Sequence, residues 1–166
     1  MSLILGRLDL EARGVWYPIS FSAFVVLFIL FMKKRHVTWR QIYATFGVIC
    51  SLSWIMDITS AIYFDAFRYG TDHGIGIADL ISITFIPSGL AIIYLNYRTQ
   101  SNKWLLLILF TLLSLGIEFI TIQVNYFHLI HWKLYYSVIM YLIVYGCLLP
   151  LHKRVIENGF SSYPHL

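Results

Sequence analysis

Five long apolar runs, separated by short polar segments, make up most of this chain. They span about residues 16–32, 42–64, 77–95, 104–124 and 134–151. Each run approaches the roughly 20 residues that an α-helix needs to cross the hydrocarbon core of a bilayer. The pattern predicts an all-α integral membrane bundle of five transmembrane helices, forming a single domain over residues 1–166.

Composition supports the same class of protein. The 166 residues are 59% hydrophobic and only 12% charged, whereas soluble domains average about one-quarter charged residues. A soluble enzyme or binding module is therefore excluded at this stage. We expect a multi-pass protein of the cell (plasma) membrane, with the lipid bilayer as its principal partner.

The basic residues are clustered on one side of the predicted bundle. Eight of the 12 Lys and Arg follow the first helix, separate the third and fourth, or follow the fifth. These are Lys33, Lys34, Arg35, Arg40, Arg98, Lys103, Lys153 and Arg154. The positive-inside bias then places the N-terminus outside and the C-terminus in the cytoplasm. The net charge of +4 is thus explained without nucleic acid, and no nucleic-acid-binding motif accompanies it.

Glu118 lies well inside the fourth apolar run, where an ionised carboxylate is costly. Counting by three and four residues places it on one face with Thr111, Ser114 and Thr121. Such a polar stripe on an otherwise apolar helix is expected to face the interior of the bundle. Ionisable residues at these positions are functional candidates by default.

The other helices carry matching stripes, and their carboxyls lie at similar depth. Asp57 is about 22 Å from the inner end of the second helix, and Glu118 about 21 Å from that of the fourth, at 1.5 Å per residue. We expect both to be central to an outward-opening polar pocket between helices two to five, with Asp79 at its mouth. The supporting candidates for ligand or ion binding are Ser53, Ser114, Ser137 and Tyr141.

A purely structural interpretation stands beside this one. Hydroxyl and small residues on one face are what membrane helices use to pack closely and to hydrogen-bond a neighbour. For the Ser and Thr positions alone, that interpretation is favoured. Asp57 and Glu118 instead favour a site, because a carboxyl pair can hold a proton, bind a cation or act as a general acid or base.

A metal site on the outer surface is a separate hypothesis. Asp72 and His73 lie in one outer loop, and His128 and His131 are three residues apart, on one helical face. Carboxylates and imidazoles are suitable ligands for divalent metals. Solvated loop residues are the commoner explanation for such a group. No motif identifies a cofactor.

Four segments resemble a family of small membrane proteins found in spore-forming Gram-positive bacteria, a family without an assigned function. The segments are DITSAIYFD, ADLISITFIPSGLAIIYLNY, GIEFI and HWKLYYSVIMYLIVY, within residues 50–150. The resemblance implies a bacterial cytoplasmic-membrane protein of about five helices. It also implies that some residues recur in the family, namely Glu118, Trp132, Lys133, Tyr136 and Ser137.

Three functions remain open from the sequence. The first is binding or transport of a small ligand, cation or proton through the outward-facing cavity. The second is an enzyme acting on a lipid or isoprenoid, with Glu118 or Asp57 as general acid or base. The third is an accessory subunit whose polar stripe binds a helix of a partner membrane subunit. A homo-oligomer also stays open. Whether the protein is an enzyme stays open.

Overall fold

The computed structural model describes residues 13–69 and 76–161, and this part of the chain is mostly helical. The helices are α1 (Trp16–Phe31), α2 (Trp39–Ile58), α3 (Ile77–Tyr97), α4 (Lys103–Gln123), α5 (Leu134–Ile143) and α6 (Leu149–Ser161). A π-helical turn, Thr59–Tyr63, extends α2. A second one, Val144–Leu148, joins α5 to α6 without a break. The helices begin and end within a few residues of the predicted apolar runs, except that the last helix extends further.

Four helices of the described residues are long and apolar enough to cross a membrane. These are Trp39–Ala61, Ile77–Tyr97, Lys103–Gln123 and Leu134–Asn158. The remaining apolar helix, α1, has 16 residues. At 1.5 Å per residue it rises about 24 Å, somewhat less than the roughly 30 Å of a hydrocarbon core. The crossing of a membrane by these helices, α1 included, stays a prediction.

Helix α3 is the centre of the bundle. It packs against α1 and α2 along much of its length and also contacts α4 and α6. In its most apolar stretch 56% of the residues are buried, against 17% to 22% in the other three long helices. The helices that surround α3 therefore bury one face against α3 or its neighbours and leave large apolar side chains exposed on the other.

The α1–α3 contact depends on a glycine. Gly89 of α3 is buried, and a Cβ atom at this position would overlap the Cγ1 of Val25 in α1. Ser22 of α1 is also buried, with its hydroxyl donating to the Pro18 carbonyl 2.7 Å away. Small residues at a crossing allow two helix backbones to approach closely, which is how membrane helices gain packing energy.

The Asn96 side chain of α3 also stabilises the end of the bundle that contains the α1–α2 turn. Asn96 is fully buried, and its Oδ1 accepts hydrogen bonds from the backbone N–H groups of Arg35 (2.7 Å) and His36 (3.2 Å). Its Nδ2 donates to the Lys33 carbonyl at 3.0 Å. Asn96 thereby supplies hydrogen-bond partners to three backbone groups of the α1–α2 turn.

The loops on the opposite side meet in a short sheet that the sequence analysis did not predict. Strands β1 (Phe67–Tyr69) and β2 (Phe127–Leu129) pair antiparallel, with Arg68 opposite His128. Asp65 and Asn125, which precede the two strands closely, have φ values of 42° and 57°. Asp and Asn tolerate this left-handed conformation better than most residues, so they can form the turns into the strands.

The prediction that His128 and His131 share a helical face is wrong. His128 lies in β2 and His131 in the bend that follows it. The His131 Nδ1 lies 3.0 Å from the carbonyl oxygen of Asp65. The apolar run of α4 ends before these residues, and the backbone hydrogen bonds of the β1–β2 ladder replace those of a helix.

We expect Gly89→Ala to destabilise the protein, because the added methyl group overlaps Val25 and forces α1 away from α3. Overpacking of this kind typically costs about 1–3 kcal/mol. Gly47→Ala is the matched control, since a Cβ there meets no atom within 4 Å. The thermal unfolding midpoint in detergent should fall for Gly89→Ala and stay level or rise for Gly47→Ala. Equal midpoints for both variants would contradict this account of the α1–α3 contact.

Candidate functional site

The Glu118 carboxyl accepts two hydrogen bonds from side chains of α5. The Ser137 hydroxyl donates to Oε1 at 2.7 Å, and the Tyr141 hydroxyl donates to Oε2 at 2.9 Å. Ser137 and Tyr141 are four residues apart and therefore lie on the same face of α5, directed at α4. The structure thus brings together three residues that the sequence analysis singled out from their helical spacing.

The hydrogen-bonded chain continues into the segment between β2 and α5. The indole Nε1 of Trp132 donates to the Ser137 hydroxyl at 2.8 Å. Ser137 is buried, and its hydroxyl accepts one hydrogen bond while donating another. Trp132, Ser137 and Glu118 form a directed chain that leads from the segment before α5 to the carboxyl inside the bundle. The sequence analysis placed Trp132 in the family resemblance and among the interfacial aromatic residues, and did not assign it to the site.

Asp57 is paired with a tyrosine of the β1–β2 sheet. The Tyr69 hydroxyl, on β1, lies 3.4 Å from the Asp57 Oδ2. Burial, with further contributions from the Asp57 and Asp79 carboxyls, raises the pKa of Tyr69 well above its ordinary value of 10.0. Tyr69 therefore keeps its proton and acts as a donor to Asp57. This contact is longer than those of Glu118, so it is the weaker of the two.

Asp79 is enclosed and does not lie at the mouth of a pocket. It is 1% exposed, and its Oδ1 accepts a hydrogen bond from the Tyr126 hydroxyl. Its Oδ2 accepts from the Gly76 backbone N–H at 2.7 Å, which caps the first turn of α3. The expectation of an open position was wrong because the α4–β2 turn folds over the end of α3. A carboxylate there also interacts favourably with the positive end of the helix dipole.

One arrangement is common to all three carboxyls. Each accepts a hydrogen bond from a tyrosine hydroxyl on another element: Asp57 from Tyr69, Asp79 from Tyr126 and Glu118 from Tyr141. The rings of Tyr69 and Tyr126 are 6.3 Å apart, so two of these pairs are adjacent. We call these six residues the carboxyl–tyrosine cluster.

The sequence analysis missed Tyr69 and Tyr126. Both lie outside the apolar runs, among aromatic residues near helix ends that the interfacial belt of a membrane protein explains equally well. Tyr126 is 47 positions from its partner Asp79. No helical spacing links residues so far apart. Only the pairing of β1 with β2 brings the two tyrosines together.

The remaining serine candidates lie beside this cluster. Ser114, one turn before Glu118 on α4, is 2.8 Å from the Tyr145 hydroxyl. The Tyr94 hydroxyl of α3 donates to the Tyr145 backbone carbonyl at 2.7 Å, inside the π-helical turn. Ser114 therefore helps to connect α3, α4 and the last helix. Ser53 is half-buried on α2, one turn before Asp57.

The metal hypothesis concerns residues that the structure describes only in part. Asp72 and His73 lie outside the described residues. Among residues 13–69 and 76–161, no group of three or more His, Cys, Asp or Glu is arranged to hold a metal ion. A site that uses Asp72 or His73 with His128 or His131 remains a prediction from the sequence.

Comparison with known proteins adds no assignment. No protein-family model, curated protein or solved structure matches this chain. The resemblance noted from the sequence motifs stays a prediction, and the function has to be argued from the geometry of the cluster.

We expect Ser137→Ala to destabilise the protein, because it leaves the Trp132 indole N–H and one oxygen of Glu118 without their partner. An unpaired buried polar group typically costs about 1–3 kcal/mol. Ser51→Ala is the control, because the exposed Ser51 hydroxyl bonds only to the Gly47 carbonyl of its own helix. The thermal midpoint should fall for Ser137→Ala alone. An equal, small effect in both variants would show that the Trp132–Ser137–Glu118 chain does not form.

Proposed function

We propose that this protein spans the plasma membrane five times, with its N-terminus outside, and that its carboxyl–tyrosine cluster binds and releases a proton or a small cation. The observation that carries the proposal is the Glu118 carboxyl, held inside an apolar helix by hydroxyl donors on both of its oxygens.

The exposed surface of the helices supports insertion into a bilayer. Soluble monomers rarely expose apolar patches larger than a few hundred Å². Here every long helix exposes large apolar side chains, for example Phe24, Leu27, Phe31, Val48, Ile55, Leu80, Leu105, Ile108, Leu112, Ile139 and Leu142. Lipid would cover these side chains. The basic residues at one end of the bundle then favour a cytoplasmic position for that end.

The chemistry of the cluster favours a small positively charged ligand. An ionised carboxylate in hydrocarbon is costly, and a bound proton or cation removes much of that cost. The hydroxyls of Ser137 and Tyr141 already lie within 2.9 Å of the Glu118 oxygens. A large organic ligand would have to displace them, whereas a proton needs no added space. A small cation could use the same oxygen atoms.

Access from the outer side follows from the position of the cluster. Tyr69 belongs to β1, and Trp132 follows β2, so the loops between α2 and α3 and between α4 and α5 both contribute. The chain from Trp132 through Ser137 to Glu118 supplies hydrogen bonds between these loops and the half-buried carboxyl. The longer Tyr69–Asp57 contact is the part of the cluster that needs the least energy to open.

Infrared difference spectroscopy of the protein in liposomes tests the proposal. Stepping the external pH, or adding Na⁺ or K⁺, should change the C=O band of a protonated carboxylic acid in the wild type. Glu118→Gln should remove the major part of that change, since the amide has no carboxyl group to ionise.

Glu157→Gln is the matched control for this measurement. Glu157 lies on α6, has a 50% exposed side chain and pairs only loosely with Lys153, at 3.7 Å. Its replacement should leave the carboxylic-acid band changes intact. A Glu118→Gln spectrum that equals the wild type would remove Glu118 from the proposed site.

The orientation can be measured separately by labelling single cysteines. In a variant with Cys50 and Cys147 replaced by serine, we expect Lys133→Cys to react with a membrane-impermeant maleimide in intact cells. Ser101→Cys should react only after permeabilisation, because the α3–α4 turn faces the cytoplasm in the proposed topology. Both positions are exposed. The reverse pattern would contradict the orientation.

A further inference from the structure

A shallow apolar groove runs along the inner half of α1 where it passes the end of α3. Its volume is about 310 Å³, and it is lined by Phe24, Leu27, Phe28, Phe31, Met32 and Tyr97. The volume is at the lower end of the range for small-molecule clefts. Apart from the Tyr97 hydroxyl and the Met32 thioether, the lining is hydrocarbon, which suits a flexible alkyl chain.

The groove ends at a positively charged turn. Lys33, Lys34 and Arg35 directly follow Met32. The Arg35 guanidinium carbon lies 5.7 Å from the ring centroid of Tyr97, which itself lines the groove. Arg35 is exposed at this position, as is Lys33. Cationic groups therefore lie at one end of the apolar groove.

The turn is held in place by buried contacts, so the charges have a defined position. The Asn96 side chain accepts from the backbone N–H of Arg35 at 2.7 Å, and Asn96 is fully buried. Lys34 Nζ donates to the carbonyls of Ile29 (3.0 Å) and Leu30 (2.9 Å) at the end of α1. The Lys34 ammonium is thus occupied by the last carbonyls of α1, whereas Lys33 and Arg35 are exposed.

We propose that this groove and turn form a binding site for one anionic phospholipid of the inner leaflet. An acyl chain would lie against the phenylalanines of α1, and the phosphate would be near Arg35 and Lys33. Basic pockets at the cytoplasmic ends of membrane helices bind anionic head groups in this manner. The apolar groove is complementary to an alkyl chain, and the basic turn is complementary to a phosphate. We therefore choose a phospholipid as the occupant. The inference rests on the membrane orientation proposed above and is independent of the Glu118 site.

Native mass spectrometry of the detergent-purified protein tests this site. The protein is mixed with phosphatidylglycerol or with phosphatidylcholine of the same acyl chains. The wild type should retain one phosphatidylglycerol in preference to phosphatidylcholine. Arg35→Gln should lower the retention of phosphatidylglycerol about fivefold, the scale of one basic residue near an anionic head group. Arg35→Lys should retain most of the preference.

Two further variants separate the parts of the site. Leu27→Trp fills the groove from a side chain that is 53% exposed, so it should reduce phosphatidylglycerol retention while leaving the fold and the basic turn unchanged. Arg154→Gln removes an exposed charge from α6 and should leave retention at the wild-type level. Equal loss in Arg154→Gln and Arg35→Gln would show that only the overall charge matters, which would overturn the proposal.

Other outcomes also decide the question. Equal retention of the two lipids by the wild type, or full retention in both Arg35→Gln and Leu27→Trp, would overturn the lipid site. Glu118→Gln should bind phosphatidylglycerol like the wild type. A protein that retains the lipid but shows no infrared response has the lipid site without the proposed proton or cation site. Labelling that places the α1–α2 turn outside would instead overturn the assignment to the inner leaflet.

Discussion

A carboxyl group packed among apolar helices needs a hydrogen-bond donor from elsewhere in the chain, and this requirement organises the end of the molecule that carries β1 and β2. Each pair in the carboxyl–tyrosine cluster joins two elements: α2 to β1, α3 to the turn before β2, and α4 to α5. Leaving such a group unpaired would cost more than most single packing contacts supply. The same contacts that satisfy the carboxyls therefore also fix how the segments containing β1 and β2 fold over the bundle.

The two ends of the bundle are built differently. The end that carries the β1–β2 ladder contains the carboxyls and tyrosines of the cluster. The end that carries the α1–α2 turn contains basic residues and the buried amide of Asn96. The two ends therefore differ in the charge of the side chains that they carry. Helix α3 connects the ends through Asp79 near its first residue and Asn96 near its last. A substitution that shifts α3 would therefore affect both.

Two π-helical turns occur close to the cluster. One begins two residues after Asp57, and the other begins three residues after Tyr141. A π-helical turn changes which backbone carbonyls are bonded within the helix, and such turns are frequent at functional sites. Here the Ser60 carbonyl accepts from the Ala66 N–H, and the Tyr145 carbonyl accepts from the Tyr94 hydroxyl. The altered helical turns thus help to attach the outer loop and α3 to their neighbours.

The sequence by itself determined the helices and much of the Glu118 site. Apolar runs of nearly 20 residues have the length and composition of membrane-crossing helices, and residues four apart share a helical face, so the Ser137–Tyr141 face could be anticipated. The tertiary structure alone decided the β1–β2 ladder, the enclosure of Asp79 and the parts played by Tyr69 and Tyr126. Those contacts join loops that are distant along the chain, and no periodicity records which loops will meet. Their pairing depends on how α2 and α4 are arranged around α3, and local sequence does not encode that arrangement.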